Sequence, residues 1–271
     1  MMRFLFWNIK KNPAVNEILR ELARHHTIDV LAIAECPHEG QLLATVNDVS
    51  EPLFHLTDSK RTRVSIYTAF PSEYLTSEYH DNTLTIRRLA LPGKVEIVFA
   101  AAHLPSKKYR PTPADRHLIA QLVSEEIKRV EDRLGHSRTV LVGDMNMDPF
   151  EEAVVSAAGL HSAMTRGIAR KGSREVFGKA YPFFYNPMWG RFGDTTSGPA
   201  GTYYWTRSRS VEYFWHTFDQ VLVRPELLDS FQAESLRILE GCGNISFLRE
   251  SGIPDAGRVS DHLPVMFDLD I

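Results

Sequence analysis

Two cysteines in 271 residues, Cys36 and Cys242, are too few and too far apart for a disulfide framework or a cysteine-based zinc site. No apolar run approaches the roughly eighteen residues that a membrane span needs. The opening Met1-Met2-Arg3-Phe4-Leu5-Phe6-Trp7-Asn8 has too short an apolar core for a signal peptide and lacks a small-residue cleavage site. Neither sign of charge dominates. Lys and Arg number 31 against 34 Asp and Glu, a net −3, which argues against a uniformly basic nucleic-acid coat. Internal repeats and low-complexity tracts are missing, and no linker separates two halves. What is present is ordinary globular composition, 43% hydrophobic and 24% charged. A cytoplasmic protein with two free thiols fits all of this, and no obligate protein partner is evident.

Short apolar runs alternate with helical patterns. Arg3–Trp7 reads as a buried strand, and Asn12-Pro13 as a helix start ahead of Val15, Ile18, Leu19, Leu22 and Ala23. Asp29–Ala34 reads as a second buried strand closing on Glu35. Val64–Tyr67, Thr83–Leu89 and Val95–Ala102 predict further strands. Thr112-Pro113 opens a long helix with Ile119, Val123, Ile127, Val130 and Leu134 on one stripe, and Gly135 ends it. Thr139–Val142 predicts a strand running into Gly143-Asp144-Met145-Asn146. Asp148-Pro149 then reads as a helix cap, with Glu151 completing a capping-box-like arrangement. Between Ala163 and His216 periodicity is lost; Thr217–Val223 and Leu263–Leu269 read as the last strands. The pattern implies layered α/β packing around sheets, with polar residues gathered at one rim.

Those rim residues are chemically coherent. Asn8, Glu35, His103, Asp144 with Asn146, Asp219, and Asp261-His262 all lie at or beside strands that patterning would bury. Carboxylates are rarely buried without a partner, so several at strand ends imply shared cations or hydrogen bonds. Oxygen donors of this kind suit Mg²⁺ or Mn²⁺ and not zinc. Histidines beside carboxylates supply acid–base or phosphate-contacting groups. Together these are the requirements of phosphoryl chemistry: neutralised charge, an activated water and a stabilised leaving oxygen.

The chain resembles the endonuclease/exonuclease/phosphatase superfamily of deoxyribonuclease-like, metal-dependent phosphodiesterases. Trp7-Asn8, Ala32-Ile33-Ala34-Glu35, Ala102-His103-Leu104, Gly143-Asp144-Met145-Asn146, Phe218-Asp219-Gln220-Val221-Leu222-Val223 and Ser260-Asp261-His262-Leu263-Pro264-Val265 match its motifs in order. The resemblance implies a single α/β (α+β) domain over residues 1–271, a four-layered sandwich of two mainly antiparallel sheets flanked by helices. It implies Glu35, Asn8 and Asp261 at the metal, direct or through water, and Asp144 and Asn146 at the attacking water and scissile phosphate. It further implies His262 on the phosphate, Asp219 holding His262, and His103 near the leaving group, with one or two ions left open. Ala34 stands where many members have Gln, and Val64-Ser65-Ile66-Tyr67 lacks a preceding glycine. His103 stands where abasic-site endonucleases have Tyr, which argues against that subgroup.

The segment Phe177–Phe218 bears on the substrate. It holds 14 of the 28 aromatics in 42 residues. Residues 163–216 carry eight basic residues against three acids, a local +5 that leaves −8 for the remainder. Lys107, Lys108 and Arg110 add a second basic patch after His103. Interleaved bases and aromatics suit a polyanion with stackable rings, so Arg191, Trp189, Tyr203 and Trp205 join Lys107, Lys108 and Arg110 as candidate substrate contacts. A nuclease acting on DNA or RNA is the leading expectation. The alternatives are a phosphatase or phosphodiesterase of a small phosphorylated molecule or lipid headgroup, inositol-phosphate-phosphatase-like or sphingomyelinase-like, and a non-catalytic binding relative.

Overall fold

Side chains alternate across a strand, so a fully buried strand must be covered on both faces. Met2–Asn8, Val30–Ala34, Ile97–His103, Thr139–Asp144, Asp219–Val223 and Val265–Leu269 are almost wholly buried. The computed structural model describes residues 1–48, 53–58, 62–108, 112–207 and 210–271, and satisfies that demand with two large sheets. The six-stranded sheet runs in the order Phe231–Ile238, Val265–Leu269, Met2–Asn8, Val30–Ala34, Val64–Thr68, His55–Leu56. The seven-stranded sheet runs Leu75–His80, Leu84–Leu89, Ile97–His103, Thr139–Asp144, Asp219–Val223, Phe184–Tyr185, Ser162–Ala163. Both are mainly antiparallel; the parallel exceptions are Met2–Asn8 with Val30–Ala34, Ile97–His103 with Thr139–Asp144, and Phe184–Tyr185 with Ser162–Ala163.

The faces sort by parity. Ile97, Phe99 and Ala101, Val140 and Val142, and Val221 and Val223 share one core with the six-stranded sheet. Val98, Ala100, Leu141 and Leu222 turn the other way, onto Ala120, Val123, Ile127 and Val130 of the helix Pro113–Leu134. Phe4 stacks on its cross-strand partner Phe267 at 5.1 Å and meets Phe99 of the facing sheet across the inter-sheet space at 5.3 Å. The helix Asn16–His26 completes the outer layer of the first sheet through Ile18, Leu19, Leu22 and Ala23. The result is the four-layered α/β sandwich.

Some boundaries differ from the sequence reading. Strands run on through Asn8, His103 and Asp144, because ladder hydrogen bonds continue past the last apolar residue. The stretch 163–216 is not structureless: it contains a hairpin, Ser173–Val176 with Lys179–Pro182, and a two-stranded ribbon, Tyr203–Tyr204 with Trp215–His216. Among the described residues, no helix is long and apolar enough to cross a membrane.

Candidate active site

Three neighbouring strands of the seven-stranded sheet have their termini in one row, two ending there and the antiparallel third beginning there. His103 pairs with Asp144 in the parallel register, and Asp144 with Asp219 in the antiparallel one. Each continues the parity of Phe99, Val142 or Val221, so all three side chains enter the inter-sheet space. Gly143, one step before this row and paired with Ala102, is there for a steric reason: a Cβ would stand 2.1 Å from the Ala102 carbonyl oxygen. From the facing sheet Asn8 continues the parity of Phe4. Its Nδ2 donates to Asp144 Oδ2 at 3.0 Å, and its Oδ1 accepts from the Lys10 N–H at 3.0 Å.

The closing loop is tied to the first strand at two points, through Ser260 and through Trp7. Ser260 Oγ donates to the Asn8 carbonyl at 2.7 Å and accepts from the His262 N–H at 3.2 Å. Trp7 Nε1 donates to the His262 carbonyl at 2.9 Å. His262 Nδ1 lies 2.8 Å from Asp219 Oδ2, and its Nε2 3.8 Å from Asp144 Oδ2. Burial alone would lower the pKa of His262, but the charges of Asp219, Asp144 and Asp261 outweigh it and push the value up to about 10. His262 is therefore a cationic hydrogen-bond donor at neutral pH.

His103 Nε2 bridges towards Asp144 Oδ2 at 3.6 Å and Glu35 Oε1 at 3.7 Å. Glu35 and Asn146 both hold left-handed backbone, φ +54° and +50°. That conformation is uncommon outside glycine and clusters at functional sites, although Asn tolerates it well. Asn146 donates its backbone N–H to Asp144 Oδ1 at 2.9 Å and its Nδ2 to the Leu104 carbonyl at 2.9 Å. Asp261 faces Lys10, Nζ 3.0 Å from Oδ2, so a cation of the chain already neutralises it.

The donor set suits a hard divalent cation. Asp144, Asp219 and His262 have ligand atoms within 4.8 Å of one another, the group of this kind among the described residues. A protonated His262 donates and does not ligate, which leaves carboxylate oxygens as the donors. Two buried polar atoms here, His103 Nδ1 and Asp219 Oδ1, have no hydrogen-bond partner. The soft donor nearby, Cys36, faces the Tyr67 hydroxyl at 3.6 Å instead. Oxygen donors with solvent access on the Glu35 and Asp261 side match hard-ion chemistry.

The candidate substrate contacts divide. Tyr203 is at the site: its backbone bridges to His262 and the rings lie 4.7 Å apart. Burial and the charges of Asp261 and Asp144 raise its pKa, keeping it a phenol. Trp205 stacks on Tyr203 at 6.2 Å and is half-exposed, with Arg207 over its ring at 4.9 Å. Lys107 lies 5.1 Å over Phe218 but binds Glu151 at 2.6 Å. Trp189 packs elsewhere, against Phe150 and Phe192, and Arg191 donates to the Leu236 carbonyl at 2.5 Å. Lys108 is exposed, and Arg110 lies outside the described residues.

Two features escaped the sequence reading. Asp148 does not cap the helix Glu152–Val155, whose N-cap is Glu151. Its buried carboxylate instead accepts from the Thr217 N–H and bonds His216 Nδ1, both at 2.8 Å. His216 stacks on Phe218 at 4.7 Å, which stacks on Tyr203 at 5.2 Å, so this second Asp–His pair supports the aromatic wall beside His262. Thr202, fully buried, accepts the Asp219 N–H at 3.1 Å and the Leu263 N–H at 2.8 Å, locking ribbon to site. A His three residues before Asp219 was the available signal.

No curated protein sequence matches the chain. An endonuclease/exonuclease/phosphatase family protein from Leptotrichia buccalis is similar in structure, with a TM-score of 0.60, 13% identity and full coverage of both chains. TDP2 of D. rerio, solved with a single-strand DNA product, has a TM-score of 0.60 and 15% identity over 100% of this chain and 99% of its own. The 3′ phosphatase NExo from Neisseria, bound to a product DNA hairpin, has a TM-score of 0.55 and 13% identity with full coverage of both. At these identities the likeness is one of fold. The sequence profile of the Endonuclease/Exonuclease/phosphatase family matches residues 5–262, nearly the whole chain, and the protein is a hydrolase belonging to that family.

Proposed function

We propose that this chain is a Mg²⁺-dependent phosphodiester hydrolase, with Mn²⁺ able to substitute, acting on DNA or RNA. Glu35, Asn8 and Asp261 would hold the ion, which supplies charge neutralisation at the phosphate and a more acidic water. Asp144 has its two oxygens oriented by Asn8 Nδ2 and the Asn146 N–H, and takes the proton of the attacking water. His262 donates from Nε2 to the phosphate as negative charge builds, while Asp219 fixes the ring and sustains its charge. His103, between Glu35 and Asp144, serves the departing oxygen.

The observation that carries the nucleic-acid reading is the aromatic wall that begins at His262. Tyr203 and Trp205 stack outward from the reacting centre, backed by the buried ring of Phe218, and flat rings beside a phosphate site match nucleobases better than a compact polyphosphate or a lipid headgroup. The test incubates the protein and Asp144→Ala with Mg²⁺ and plasmid, single-stranded DNA, RNA or an inositol polyphosphate. Nucleic acid cut by the native protein alone supports the reading. Phosphate released from the inositol compound alone sinks it, and cleavage that persists in excess EDTA overturns the metal dependence.

A further inference from the structure

A hairpin that takes no part in the site hangs from the opposite end of the seven-stranded sheet. Val176 pairs with Lys179, so its turn is Phe177-Gly178. Both residues have positive φ, +51° and +74°. Two left-handed central residues mark a type I′ turn, where Asn-Gly or Asp-Gly is preferred because a bulky residue is strained there. Phe177 accepts that strain while its ring stays fully exposed, at 105%. A ring that is strained and unburied contributes nothing to folding.

Paired residues share a face of the hairpin. Arg174 with Tyr181 and Val176 with Lys179 form one face, and Lys179 Nζ lies 5.0 Å over the Tyr181 ring. The acid, Glu175, is on the other face with Ala180. Among the described residues, Lys171, Arg174 and Lys179 form no ion pair with a carboxylate, whereas nearby Arg170 pairs with Asp229. Arg224 Nη1 donates to the carbonyls of Pro182 and Phe183, each at 3.1 Å, so the hairpin's root is beside Arg224. Arg224 follows Asp219 by five residues along one strand, which puts the root about 17 Å from the catalytic row.

We propose that this hairpin is a second nucleic-acid contact, in which Phe177 stacks on a base while Arg174 and Lys179 meet phosphates. The inference rests on the nucleic-acid reading above and adds a length requirement to it. At about 3.4 Å per nucleotide, a strand must extend about five nucleotides or more from the scissile phosphate to reach the hairpin. An anionic membrane is the poorer occupant, because a single exposed ring in a turn anchors weakly at a lipid interface.

The test is fluorescence anisotropy in EDTA with labelled single-stranded DNA, one probe shorter than the gap and one several times longer. Native protein is compared with Phe177→Asn and with Arg174→Ala/Lys179→Ala. The long probe should bind at least about fivefold more weakly to both variants, in line with the worth of one stacked base. The salt dependence of the double variant should flatten by roughly 1.4 in slope, the share of two phosphate contacts. Short-probe binding should not change. Phe177→Asn should also raise Tm, since Asn-Gly relaxes the turn, which separates a lost contact from a lost fold. Unchanged long-probe affinity overturns the proposal, as does hairpin-dependent sedimentation with phosphatidylserine vesicles without an effect on DNA. Protein that cuts nucleic acid but ignores the hairpin variants refutes only the hairpin's role. Hairpin-dependent DNA binding without any nucleic-acid cleavage refutes only the hydrolase reading.

Discussion

Asp219 and His262 meet at 2.8 Å, both buried, across the seam between the sheets. Asp219 begins a strand of the seven-stranded sheet, whereas His262 sits on a loop held to the other sheet by Trp7 and Ser260. Replacing Asp219 by Asn keeps the shape and removes the charge. Turnover should fall about 10–100-fold with KM little altered, because the loss acts where charge develops. Steady-state kinetics on the nucleic-acid substrate checks this; an unchanged kcat rejects the pairing as functional.

The raised pKa of His262 has a signed consequence. Its folded value of about 10 exceeds the ordinary 6.5. The stability it contributes is therefore complete below about pH 6.5 and is lost as pH climbs through 10. Activity should show an alkaline limb near the upper value, and Asp219→Asn should move that limb to lower pH. A pH–rate profile with an unmoved limb would assign it to another group.

Asp148 predicts the opposite kinetic signature. Its carboxylate supports His216, Phe218 and Tyr203, and reaches no reacting atom. Asp148→Asn should raise KM for nucleic acid more than it lowers kcat. Comparing both constants with those of Asp219→Asn decides the matter.

Lys10 occupies Asp261 at 3.0 Å in a partly exposed pair. Lys10→Met should free that carboxylate and tighten Mn²⁺ binding by up to about fivefold, the range of an exposed ion pair. Titration calorimetry reads this without any turnover. Weaker binding would mean that Lys10 organises the site.

Far from the site, Arg224 and Glu131 form a buried ion pair, with Thr139 Oγ1 also donating to Glu131 at 2.6 Å. Arg224 stacks over Phe184 at 3.8 Å. Arg224→Met alone leaves a buried carboxylate uncompensated and should cost about 3–5 kcal/mol. Adding Glu131→Met should restore part of it, measured by denaturant unfolding.

Legibility followed locality. Apolar runs ending in Asn8, His103 and Asp144, and the run Thr217–Val223 that contains Asp219, could be read because burial and period 2 are written within each strand. The helix Pro113–Leu134 could be read because Thr112 and Gly135 mark its ends and the structure uses both as caps. Asp148 could not: Asp-Pro before a helix has the local form of a cap, and its partner His216 is 68 residues away. Arg191 and Lys107 had the same limit. Composition counts their charges as free, whereas tertiary pairing commits Arg191 to a carbonyl and Lys107 to Glu151. The hairpin at Phe177 was hidden because Phe stands where Asn or Asp would ordinarily precede Gly178, which leaves half of the usual turn signal.

The 3.0 Å bond from Asn8 to Asp144 joins the two halves of the sandwich at the candidate centre. Asn8 lies near one end of the chain and Asp144 near its middle, so neither half of the polypeptide contains a whole centre. Each half supplies strands to both sheets, so separately expressed halves would be inert and would regain turnover only by rebuilding both sheets together. Recovery of activity during refolding is then a clock for the last event of assembly, the closing of one sheet on the other.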